Sequence, residues 1–226
     1  MKVIHTYWVM ILVLPLLSFL GLEKLWEKKT TYIYSEVTGN KEVTTTWTVE
    51  KKGKVLVISG IDKNSKTYLT MDNNYQLQNY QFITTDGQSN YTITRKDSQL
   101  ICSGTVKGQT MQRTQNIGNK NWIQQFGFGL RKFAMSKERN VTFISVNPKD
   151  FSTNTLIAKK NQITHLKIGN TLYHAEKMII TLTGFESLFW KAEIWFNPDD
   201  GTFLQYSGNE GPNTPTTTIR FESEKK

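Results

Sequence analysis

The chain has a single cysteine among its 226 residues, so no intramolecular disulfide can form, a state compatible with either side of a membrane. Cys102 has no C-x-x-C partner and sits in the alternating run Leu100, Cys102, Gly104, Val106. It reads as a small buried hydrophobe rather than a nucleophile. Histidine is almost as scarce, with only His5, His165 and His174. His174-Ala175-Glu176 has an H-x-E spacing, but the P-C-x-x-C that zinc deaminases add to it is missing. No H-E-x-x-H occurs, and one cysteine cannot complete a cysteine-rich zinc site. No metal and no cofactor is therefore expected.

Catalytic signatures are missing as well. There is no G-x-S-x-G elbow, P-loop or G-x-G-x-x-G, and Asp199-Asp200 lie inside Pro-Asp-Asp-Gly, where both read as turn formers. No catalytic residue is assigned, and the chain is read as a non-enzyme. An enzyme would need an unrecognised site built from Tyr, Glu or His on strands. No Lys/Arg run alternates with exposed aromatics and no RNP-type strand appears, so nucleic acid is not an expected partner. The formal charge is nevertheless +9. Four lysines and two glutamates fall within residues 1–29, so the remainder still carries a formal +7. Its basic residues are scattered, which suits a solvated surface or approach to anionic envelope material.

What the sequence does have begins with one apolar stretch. Tyr7 to Leu22 is interrupted only by Pro15, Ser18 and Gly21, follows Lys2 and precedes Glu23-Lys24. Residues 1–29 are read as a secretory signal peptide or an uncleaved signal anchor. A cut after Gly21 would place Phe19 where a small residue is wanted, and Val3 to Leu22 is long enough to span a bilayer. No cysteine follows the stretch, so there is no lipobox. The expectation is a periplasmic or otherwise extracytoplasmic protein, secreted or held at the inner membrane through residues 3–22.

Residues 30–226 read as one antiparallel β domain, because their dominant period is two. Val43, Thr45, Trp47 and Val49 alternate with Thr44, Thr46, Thr48 and Glu50, the pattern of a half-buried strand. Thr30–Thr38 precedes it across Gly39-Asn40, a hairpin signal. Further β-prone runs at 55–61, 67–71, 75–84, 90–95 and 99–106 are separated by turn residues every eight to twelve positions. Strands are expected again at 141–146, 163–168, 171–183, 187–196, 202–207 and 216–222. Between the two groups, Trp122, Ile123, Phe126, Leu130 and Phe133 stand near helical spacing. A short helical insertion over 122–135 is expected, weakened by Gly127 and Gly129.

The aromatic load on these strands is the remaining signal. Trp47, Tyr80, Phe82, Phe143, Trp190 and Phe196, with Trp122 of the helical insertion, are either core or the lining of an apolar cavity. On the second reading these seven residues are the candidate ligand-binding set.

At the C-terminal strands, Phe189-Trp190-Lys191-Ala192-Glu193-Ile194-Trp195-Phe196-Asn197-Pro198-Asp199-Asp200-Gly201, followed by Gly208 and Gly211-Pro212-Asn213-Thr214-Pro215, resembles the end of uncharacterised bacterial envelope proteins. Those resemble in turn the periplasmic carriers of the lipoprotein-localisation pathway. The resemblance implies a mainly β fold: a strongly curved antiparallel sheet, or half-barrel, of about nine to eleven strands with a short helical insertion on its concave side. It implies a non-enzymatic envelope protein that binds a lipid, an acyl chain or a partner protein there. The alternative is a membrane-anchored structural or assembly component with a filled core.

Overall fold

A computed structural model of the chain describes residues 29–184, 190–209, 211 and 214–225. The expected leader and the start of the 187–196 run lie outside the described residues. The period of two builds fifteen strands among those described. They are β1 (Thr30–Thr38), β2 (Lys41–Lys52), β3 (Val55–Ile61), β4 (Ser65–Asp72), β5 (Leu77–Thr84), β6 (Asn90–Lys96), β7 (Gln99–Val106), β8 (Gln109–Asn116), β9 (Asn121–Trp122), β10 (Asn140–Val146), β11 (Thr153–Ile168), β12 (Thr171–Leu182), β13 (Lys191–Phe196), β14 (Phe203–Gly208) and β15 (Thr217–Lys225). All belong to one sheet ordered 8-7-6-5-4-3-2-1-15-14-13-12-11-10-9. Every pairing is antiparallel except the short β9–β10 contact.

Fifteen strands correct the expected nine to eleven. β8 was not expected because it is an edge strand whose side chains are mostly exposed, leaving no apolar alternation to read. The first half of β11 looks like a loop, since Lys159-Lys160-Asn161-Gln162 interrupts its apolar residues. β9 is two residues long and was taken as the start of the helical segment.

The strand order forces curvature. β8 and β9 are the two edges of the sheet, yet only residues 117–120 join them. A flat sheet of this many strands would be about 67 Å wide, whereas the link reaches roughly 18 Å fully extended. The sheet therefore curls until its edges face each other across a narrow seam. Side chains and turns close that seam in place of a ladder. Arg113 and Gln115 of β8 donate to the carbonyls of Asp150 (3.4 Å) and Phe151 (3.1 Å) in the β10–β11 turn. Arg95 donates to the carbonyls of Lys120 and Gly118 in the link itself. Phe151 is fully buried at φ +56°, a backbone region costly for a bulky side chain. Its ring crosses the seam to lie 5.6 Å from that of Tyr91 on β6, and burial offsets the strain.

Inside the curl sits the helical insertion, shorter than its sequence pattern suggested: single turns α1 (Phe126–Gly129) and α2 (Arg131–Ala134). The glycines that weaken the helix let it approach the sheet. A Cβ on Gly127 would stand 2.8 Å from Phe203, and one on Gly129 2.5 Å from Ile123. Two buried cations hold the insertion in place. Arg131 donates twice to the Asp200 carbonyl (3.2 and 2.9 Å) and once to the Tyr32 hydroxyl (3.2 Å), tying α2 to the β13–β14 turn and to β1. Gly201 in that turn has φ +68°, and a Cβ there would collide with the Arg131 side chain. From the other side, Lys160 of β11 follows Leu156 and Ala158 inward. It meets Glu176 at 2.9 Å with both side chains buried, and donates to the carbonyls of Ala134 (2.9 Å) and Ser136 (2.7 Å). Three ammonium protons find three acceptors, so the buried charge is fully compensated.

β11 and β12 run past the rest of the sheet as a long hairpin, with a bulge between Lys160 and Gln162. Leu166, Ile168 and Tyr173 of this arm pack on Ala175, Trp195 and Leu204 in a second small cluster. Every other buried apolar side chain belongs to the main core inside the curl, Cys102 included.

Two outcomes follow from this packing. Lys160→Met is expected to lower the unfolding free energy by about 3 kcal/mol in urea denaturation, because it strands the Glu176 carboxylate; adding Glu176→Leu should recover most of the loss. Cys102 is fully buried and its thiol is pushed up to about 11 by burial. Maleimide should therefore leave the folded protein unlabelled and react once guanidinium has unfolded it.

Candidate functional site

One row of paired residues crosses the sheet from β1 to β7: Tyr32, Trp47, Gly60, Thr67, Phe82, Tyr91 and Gly104. Its side chains point inward, and their sizes decide where space is left. Gly60 contributes no side chain, so Trp47 leans onto the β3 backbone; a Cβ on Gly60 would lie 2.6 Å from the indole. Thr67 is small. Between Trp47 and Phe82 the row therefore fails to fill the curl, and a cavity of about 320 Å³ opens there.

The cavity has an aromatic wall and a polar lip. Trp47, Tyr80, Phe82, Phe128, Tyr34 and Phe203 supply the rings. Trp47 stands 5.0 Å from Phe128, and Tyr34 5.1 Å from Phe203. Thr67 and the Tyr80 hydroxyl bond to each other and Tyr80 to Tyr91, while burial pushes Tyr80 up to about 12. Both phenols stay neutral and serve as hydrogen-bonding wall. The lip is made by Glu36, Thr45, Asp62, Ser65 and Gln125, all half-buried. Asp62 is committed to its own turn: it accepts from the Asn64 and Ser65 amides (2.6 and 2.9 Å) and from the Ser65 hydroxyl (2.6 Å). Glu36 has no hydrogen bond or ion pair to any described residue, and burial, with Asp62 close by, raises its carboxyl above the ordinary value of 4.5. Among the described residues, no Lys, Arg or His lines the cavity.

The seven aromatics singled out from the sequence divide four ways. Trp47, Tyr80 and Phe82 line this cavity. Trp122 lines a separate cleft of about 210 Å³ with Tyr75, Ile123 and Phe133. Phe143 and Phe196 are fully buried in the core, packed 5.8 Å from Phe126 and 5.8 Å from Phe203, and do not line the cavity. Trp190 is half-buried beside the core and donates to the Asn209 carbonyl at 2.6 Å. Sequence reasoning missed Glu36, Asp62, Gly60 and Thr67. The signal for two of them was present: Tyr32, Tyr34 and Glu36 share one face of β1, and Gly60 interrupts an otherwise apolar strand.

The histidines do not form a site with Glu176. His165 and His174 are a cross-strand pair on the exposed arm, rings 6.3 Å apart, and His174 lies 3.5 Å from Asp199. Glu176 is bound to Lys160. Asp199 and Asp200 occupy the turn between β13 and β14, where Asp200 accepts from the Thr202 amide at 2.8 Å. Among the described residues no three His, Cys, Asp or Glu side chains gather closely enough to hold a metal ion.

No family model and no curated protein matches the sequence. The fold is similar to that of the β-barrel-like protein of domain of unknown function DUF1849 from Brucella abortus. That match has 6% identity and a TM-score of 0.57, and covers 88% of this chain and 98% of that one. The chain also aligns with the hypothetical lipoprotein YmcC from Escherichia coli (11% identity, TM-score 0.37, 90% of this chain and 89% of that one). A third alignment is to a domain from Vibrio parahaemolyticus described as an outer membrane lipoprotein-sorting protein (9% identity, TM-score 0.30, 90% and 88%). The last two likenesses are too loose to bear weight, and identities of this size speak for fold alone. What is shared is a single curled, barrel-like β-sheet, the fold that the C-terminal strands led one to expect.

Proposed function

We propose that this chain is a non-enzymatic envelope protein that holds a lipid-like ligand in the cavity between Trp47 and Phe82. The observation that carries the reading is the gap in the inward row at Gly60 and Thr67. Cores fill their interiors to near crystal density, and here two large aromatics are set apart by a glycine and a threonine. The resulting space of about 320 Å³ falls in the range of small-molecule sites. Its apolar wall suits an acyl or other hydrocarbon body. An extracytoplasmic place, secreted or held at the inner membrane by residues 3–22, is consistent with the apolar leader and the basic body. The rival reading is a membrane-anchored assembly component. It draws on the helical insertion, which fills most of the curl with Phe128, Leu130 and Phe133.

The two readings separate in one experiment. The full-length protein purified from envelopes is analysed by native mass spectrometry and titrated with an uncharged fluorescent fatty-alcohol derivative. A bound small molecule, or saturable probe binding, is expected, and Thr67→Phe should abolish it by filling the gap while leaving the far-ultraviolet circular dichroism unchanged. Absence of any bound species together with an unresponsive probe would leave the assembly reading standing.

A further inference from the structure

The ligand reading can be taken one step further, to the charge of the ligand. The protein carries +9 overall, with 28 basic residues against 19 acidic ones. Its mean field therefore draws anions. The cavity reverses that bias, since among the described residues the acids and bases lining it, tyrosines aside, are Glu36 and Asp62. Asp62 spends its oxygens on the turn that holds β3 to β4. Glu36 spends its own on nothing among the described residues, although the strand it sits on carries three hydrogen-bonded or packed neighbours, Tyr32, Tyr34 and Ser35. Its carboxylate therefore remains open to a donor brought by a ligand. It stands where the inward face of β1 reaches the cavity lip, beside rings whose faces attract cations. Aromatic walls with an uncommitted carboxylate at the entrance are the chemistry of an organic cation.

Resting on the ligand-binding reading, we propose that the cavity takes a cationic amphiphile, its hydrocarbon body among Trp47, Phe82 and Phe128 and its ammonium group at Glu36. A fatty acid is disfavoured, because its carboxylate would meet Glu36 and Asp62 with no basic residue to receive it.

Three chain-matched probes test this: decylammonium, decanol and decanoate, each titrated below its micelle concentration into the full-length protein and followed by calorimetry. Decylammonium should bind on the order of tenfold more tightly than decanol, and decanoate more weakly still, against the direction of the net charge. Glu36→Gln should bring the ratio of decylammonium to decanol affinity down to about one, with an unchanged far-ultraviolet circular dichroism spectrum reporting an intact fold. The variant should also melt at or above the wild-type temperature at neutral pH. The raised Glu36 carboxyl makes the ionised folded state the less stable one. That penalty is absent well below pH 4.5, where the group is protonated in both states, grows as pH rises from there through the raised folded value, and is constant above it.

Equal binding of the three probes, or a Glu36→Gln variant that keeps the ammonium preference, would overturn the cation assignment but leave the ligand reading intact. Failure of all three to bind the wild-type protein, with no other bound species found, would remove both.

Discussion

Four residues set the shape of this protein. Residues 117–120 lead the chain from one edge of a fifteen-strand sheet to the other, a distance that a flat sheet would make several times too long for them. Curling the sheet is the only way to satisfy the connection, and the inherent strand twist favours it. The rest follows from that closure. The inward face becomes an interior, the edges become a seam, and the segment after the link is placed inside the curl. The seam is sealed by Arg113, Gln115, Arg95 and the buried Phe151. A ladder across it would close the barrel outright; here side-chain bonds hold two edges that do not pair as strands.

An interior this wide needs filling. The helical insertion supplies Phe128, Leu130 and Phe133, and Gly127 and Gly129 set its depth. Both of the cations that pin it are buried, and each spends its donors on backbone carbonyls as well as on one side chain. Such arrangements fix position more than they add stability, since a desolvated charge recovers little beyond its own burial cost. Their use here is to hold two isolated helical turns, each too short to persist alone, against a sheet that would otherwise close on empty space. The cavity lies where Gln125, Gly127 and Phe128 of the insertion face the sheet without filling the space against it. It exists because one cross-strand row places a glycine and a threonine between two large rings.

Much of the strand pattern was legible, and the reasons for the exceptions are physical. Most of β1 to β7 alternate because one face is core and the other water, β5 breaking the pattern at its bulge, and Gly39-Asn40, Asp86-Gly87 and Gly169-Asn170 mark reversals where the chain does turn. β8 carries Gln, Arg and Thr on both faces because its neighbour across the seam is a turn rather than a strand. The start of β11 was hidden by Lys160, which looks like a surface residue until Glu176 is known to lie beside it. At the candidate site the aromatic residues Trp47, Tyr80 and Phe82 could be named in advance, because large rings on inward positions announce themselves. Phe143 and Phe196 have the same appearance in sequence and are core. The difference lies in what stands across the sheet from them.

By itself, the sequence determined the class of fold, the inward and outward faces of most strands, the turns, and the inert character of Cys102, since each depends on neighbours two to four residues away. The curl was implied by the resemblance of the C-terminal strands, but the sequence carried no account of how its edges meet, of the buried Lys160–Glu176 and Arg131 contacts, or of the space between Trp47 and Phe82. Those depend on residues brought together from strands far apart in the chain. A cavity in particular is an absence, the volume left when Gly60 and Thr67 fall into register with larger neighbours. The hairpin turn fixes that register locally, but whether the space beside it stays open depends on Phe128 and Phe203, which arrive from distant parts of the chain.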